Sequence, residues 1–311
     1  MASLVTLLLI PHLIAVNIAS VAPLVCIPLE LASARGNATA ARLAGKLAWH
    51  GVWMLLAGTT LGVIIGGMLW NDAYRGSLKL LGSRLHYGGA ELLFSLLLMI
   101  AHAVWWSRKP AASQGGRWGR ALLALLAGTN VIYHFPVLMV ILARIASGAD
   151  PLDAPLDSPA FRARLVSPEV AARCVHIWFA SFAVTGAWMM ALAWNWQRRS
   201  TNSSDFDEAD AGKVARWGAR LAVVPTLLQI PSGLWLLSTL SPLQQSSLFG
   251  GDAAATSAFV ASVLISLWLL HQLAAIGMGD TSRRPLAQAL LTLVSVIALM
   301  TFVLRHLETI R

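Results

Sequence analysis

A chain of 311 residues that is 57% hydrophobic and only 12% charged has about half the charge content of an ordinary soluble domain, about 25%, which excludes a freely soluble globular protein. The formal net charge of +9 does not indicate nucleic acid, because the basic residues stand in short segments between long apolar runs rather than on one polar face. Two cysteines, Cys26 and Cys174, at opposite ends of their predicted helices and without CxxC spacing, indicate neither a disulfide nor a zinc site.

Apolar windows of spanning length, about 20 residues, predict eight transmembrane helices at 3–31, 47–70, 85–106, 121–143, 173–196, 217–240, 254–278 and 285–306. The stretches from Arg120 to Arg144, Arg173 to Arg198, Arg220 to Asp252, Asp252 to Asp280 and Arg284 to Arg305 contain no charged side chain between their ends. The first window lacks a basic leader and is too long for a signal-peptide core, so it is read as helix one.

The expected fold is an all-α integral membrane protein, a single transmembrane domain over 1–311, with short loops joining antiparallel neighbours and two four-helix bundles as its arrangement. Two connections are longer. Residues 149–172 form an outer loop, PLDAPLDSP followed by a mixed-charge stretch expected to make a surface helix, and 197–213 form a polar cytoplasmic loop. The first, third, fifth and seventh loops hold 14 of the 23 basic residues, so the positive-inside rule makes them cytoplasmic and puts both termini outside. Trp49, Trp70, Trp105, Trp106, Trp194, Trp196 and Trp217 fall near predicted helix ends, where interfacial anchors are expected.

All eight histidines lie in or at the edge of these windows. An ionisable side chain at membrane depth is expensive, so each is expected to face the bundle and to ligate, relay protons or make a structural hydrogen bond. Counted along the helices, His12, His86, His134, His176 and His306 fall in the outer half and His50, His102 and His271 toward the cytoplasm. Imidazoles at one depth on several helices are what axial haem ligation in a bundle requires. No CxxCH is present, which excludes covalently attached haem and leaves haem b or a related non-covalent haem. HExxH, phosphate-loop and GxGxxG motifs are also missing, which removes support for zinc-protease, ATPase and dinucleotide-binding readings.

Local contexts add detail. Pro136 follows His134 and is expected to kink its helix and open room beside the imidazole, whereas Pro11 before His12 costs little near a helix start. Glu91 is the one carboxylate inside the third window. It is a candidate for proton transfer or for a place beside a haem propionate, or else a structural partner of Asn130 or Gln229. Gln229 and Pro231 mark a further polar, kinked spot.

The segment Arg173-Cys-Val-His176 with Ser181-Phe-Ala-Val-Thr-Gly-Ala-Trp-Met189 resembles the fifth helix of cytochrome bd quinol oxidase subunit I. The run from His12 through Pro28-Leu-Glu30 is similar to that family's first helix. Weaker likeness lies in Gly45-Lys46-Leu47, at Trp106 and in Gly128-Thr-Asn130, so the resemblance covers roughly residues 5 to 195. It implies that His176 ligates a low-spin haem b and His12 a high-spin haem on the outer side; His86 and His134, from the outer-depth set, are the next ligand candidates. It also implies electron transfer, a bacterial-type inner membrane and a membrane partner subunit. A quinone or an outer-side electron carrier would be the redox partner.

Several family features are missing. Only Ser241 to Asp252 is available where the family has an extended quinol loop, and the Gly-Arg-Gln-Pro-Trp signature does not occur. The seventh window has no methionine before Met278, so the family's second axial ligand has no counterpart. His86, Glu91 and Ser95 stand where the family's third helix has carboxylates. Two other classes fit the same composition: a proton-coupled transporter or channel, and a structural subunit of a larger membrane complex.

Overall fold

A computed structural model describes residues 2–109, 113–200 and 208–308, all of them helical or in short connections. The centre of the polar loop, 201–207, lies outside the described residues. The elements are α1 (Ala2–Ala34), α2 (Ala38–Met68), α3 (Asp72–Leu80), α4 (Gly82–Arg108), α5 (Gln114–Ala146), α6 (Ser158–Leu165), α7 (Pro168–Ser200), α8 (Glu208–Ser238), α9 (Pro242–Ser246), α10 (Ala253–Met278) and α11 (Arg283–Leu307). Eight of them, α1, α2, α4, α5, α7, α8, α10 and α11, are long and apolar enough to cross a membrane. This is the all-helical, multi-pass membrane fold expected from the composition.

Most spans extend beyond their apolar windows because the flanking residues still favour helix. α2 begins at Ala38, where the Asn37 side chain accepts from the Ala40 N–H, so Arg42 and Lys46 ride on its first turns. Asn71, Ser113, Asp157 and Asp252 cap α3, α5, α6 and α10 in the same way. The mixed-charge stretch of the 149–172 loop forms α6, and the short α3 was not anticipated.

The chain divides into two compact units, 15–178 and 1–14 with 179–311. In the 15–178 unit small residues let helices approach closely, as membrane packing without a hydrophobic drive requires. A Cβ on Gly58 would lie 2.7 Å from Val16 Cγ1, and one on Gly128 2.6 Å from Leu24. Beyond Pro136, α5 buries Val137, Leu138, Ile141 and Ile145 against Leu81, Val170 and Cys174, with Ile177 and Trp178 packed alongside.

In the other unit α7 and α8 meet at Gly186 and Gly218, where an added Cβ would come within 2.4 Å of the opposing carbonyl oxygen. Arg220 donates to the Gly277 carbonyl, and Gln197 to that of Thr281. Residues 247–251 form a kinked turn in which Gly250 adopts φ +117°, and Leu248 buries there with Ala255, Val303 and Leu307.

Two of the tryptophans expected at the interface are interior. Trp106 and Trp196 are 3% and 1% exposed, whereas Trp70 is 60% exposed. For Trp106 the reason is a buried guanidinium that its ring covers, described below.

Candidate functional site

The structure sets the histidines in different environments. His12 on α1 and His176 on α7 are half-buried, while His86 on α4 and His134 on α5 are exposed. His176 stands about 12 Å and His12 about 15 Å along the axis from the first residue of its helix. His86 Nδ1 lies 2.6 Å from the Gly82 carbonyl of its own helix, which fixes the ring and directs Nε2 away, as in histidines oriented for ligation. His134 meets Tyr133 edge to face at 4.9 Å.

Within the 15–178 unit, the segments bearing His134 and His176 are neighbours. Trp178 Nε1 donates to the Ile132 carbonyl at 2.8 Å, so α5 two residues before His134 is tied to α7 two residues after His176. Glu91, half-buried on α4, is linked to α5 through its backbone: Asn130 Nδ2 donates to the Glu91 carbonyl at 3.0 Å and to Ser95 Oγ at 2.8 Å. The expected Asn130 partnership therefore runs through the main chain of Glu91, not its carboxylate.

Among the described residues, no three His, Cys, Asp or Glu side chains gather to hold a bare metal ion. Imidazoles on apolar spans, such as His12 on α1 and His176 on α7, are of the donor type that a non-covalent haem takes.

A second polar cluster escaped sequence reasoning. Arg120 Nη2 donates to Glu30 Oε1 at 2.6 Å, with side chains 1% and 3% exposed. Arg120 Nη1 donates to the Lys109 carbonyl at 2.8 Å, and the guanidinium lies 3.9 Å from the Trp106 ring centroid. Buried His102 is one turn from Trp106 on the same face of α4. The only signal in the sequence was a lone charge at the end of the first window and another at the start of the fourth.

In the other unit, His306 Nε2 pairs with Asp252 Oδ2 at 3.0 Å and stacks on Phe302. Asp252 also caps α10, and the Ala255 N–H, then His306, hold its carboxyl below the usual carboxylate range. His271 is exposed and stacked on Trp268.

No family model matches this chain, and no curated protein sequence matches it. Among solved structures it is similar to the bd oxidase from Geobacillus thermodenitrificans, with a TM-score of 0.73 and 12% identity, covering 99% of this chain and 86% of the other. The chain is thus an eight-span membrane protein with a cytochrome bd-like fold.

Proposed function

We propose that this protein is a membrane haem protein of the electron-transfer class, a cytochrome bd-like redox subunit. The observation that carries the reading is the likeness of fold to a bd oxidase over 99% of the chain, at a TM-score of 0.73. His12 and His176 are the leading axial ligands, each half-buried on an apolar span, and His86 and His134 are the next candidates. Arg173, one turn before His176 on α7, would supply a cation for a haem propionate. A bound haem b supplies one-electron chemistry at its iron.

The protein's own part is to hold and orient. The α5–α7 tie at Trp178 and Ile132 fixes the backbone flanking His176, and the aliphatic residues of α5 and α7 pack beside that tie. Glu91 is the candidate proton carrier, since the bond from Asn130 to its main chain anchors α4 while its carboxylate stays available. Electrons would pass between a quinone or an outer-side carrier and a membrane partner subunit, in a bacterial-type inner membrane. The segment 241–252 forms only α9 and a kinked turn where the resembled family has an extended quinol loop, so a quinone would have to meet this chain elsewhere.

Reduced-minus-oxidised spectra of the purified parent, His12→Ala and His176→Ala proteins test the ligand assignment. Haem bands that weaken or shift in these variants, and not in His271→Ala, support it. Bands unchanged in both would reject these ligands. A proton-coupled transporter gives no visible absorption in any of the four.

A further inference from the structure

The Glu30 carboxylate is satisfied on one side only. Oε1 accepts from Arg120, while Oε2, buried as deeply, meets no donor among the described residues. Arg120 already serves Oε1 and the Lys109 carbonyl beneath the Trp106 ring. A buried anionic oxygen left in this way calls for a hydrogen-bond donor from outside the chain.

Glu30 also lines a cleft of about 270 Å³. Leu31, Ala34 and Ala121 make its apolar wall, Gln114 and Arg117 supply donors, and Trp118 forms one side. The volume falls just below the range of cofactor pockets, about 300–1,000 Å³, and suits a small polar headgroup better than a macrocycle. α1 ends at Ala34 and α5 starts at Gln114, so Glu30 lies about 6 Å along the axis from the helix end. That is the depth of lipid headgroups, where Trp118, 63% exposed, is at home. Leu31, 45% exposed, carries the apolar wall out to the acyl chains.

The occupant must donate a hydrogen bond to Glu30 Oε2, accept from Arg117 and Gln114 close by, and continue into an apolar part. A primary ammonium two carbons from a phosphodiester does all three. A choline headgroup has no N–H to donate, and a glycerol headgroup donates only from neutral hydroxyls, with no cation to meet the buried carboxylate. We infer that this cleft binds the headgroup of an aminophospholipid, with the ammonium on Glu30 Oε2, the phosphate against Arg117 and Gln114, and the chains leaving past Leu31 and Trp118. The site needs only the membrane setting of the chain and is independent of haem.

Native mass spectrometry of the full chain in detergent, titrated with phosphatidylethanolamine, phosphatidylcholine and phosphatidylglycerol of the same acyl composition, tests this directly. Phosphatidylethanolamine is expected to bind about tenfold more tightly than either of the others, the worth of one charged hydrogen bond. Arg117→Ala, outside the ion pair, should weaken all three lipids. Glu30→Gln, checked for folding by its melting curve, should erase the preference for the ethanolamine headgroup. Equal retention of the three lipids by the parent protein overturns the proposal without any variant. Displacement by soluble phosphoethanolamine at matching concentration overturns the lipid assignment, because the apolar wall would then contribute nothing.

Discussion

Trp178 donates its indole N–H to the Ile132 carbonyl, the one that Pro136, four residues on and lacking an N–H, leaves without its helical donor. In a bilayer a freed carbonyl must be satisfied by a neighbouring element, and here α7 provides the donor to α5. The proline and the tryptophan form one device, each two residues along its helix from a histidine, His134 on α5 and His176 on α7.

Trp178→Phe is therefore expected to destabilise the protein by about 1–3 kcal/mol, the cost of a buried acceptor left unmet. In a Pro136→Ala background, where the helix regains its own N–H, the same substitution should cost much less. Thermal unfolding of the four proteins in one detergent gives the coupling. Equal costs in both backgrounds would show that the bond and the proline act separately.

The Glu30–Arg120 pair gives a second expectation. Removing one partner strands a buried charge, so Arg120→Ala is expected to cost about 3–5 kcal/mol. Replacing both with apolar residues of similar volume, Glu30→Leu with Arg120→Met, should recover most of that loss. Melting curves of the single and double variants check it, and a double variant as weak as the single one would contradict it.

Much of the fold was legible in the sequence because charge is so costly in lipid. Gaps such as Arg284 to Arg305 mark spans without knowledge of any partner. The mixed charge after PLDAPLDSP likewise marked α6. α3 was missed because Asp72–Leu80 is polar on one side and too short to register as a span. Trp106 and Trp196 were misread because position along a helix does not reveal which face turns inward. The Glu30–Arg120 bond joins residues 90 apart, and the Trp178–Ile132 bond depends on the register of two helices; neither is written in local pattern. That the histidines ride on the spanning helices was readable from the sequence, whereas the exposure of His86 and His134 emerged only with the packing.

The Asp252–His306 pair predicts a pH response. The folded carboxyl titrates below its unfolded value, about 3.9, so its stabilising contribution is complete above that value and is lost as pH falls through the folded one. The melting temperature should drop on acidification below about pH 4, with a shallower drop in Asp252→Asn, which keeps the helix cap but not the charge. Identical acid profiles for the two proteins would rule out the pair as a contributor.

Whether this cytochrome bd-like fold holds haem is decided by a pyridine haemochrome assay on protein purified from cells supplied with haem. A non-covalent haem b, extractable into acidified solvent, is expected at one or more equivalents per chain. A correctly folded, colourless protein under those conditions would contradict this expectation and would leave a transporter or a structural subunit as the reading of the same fold.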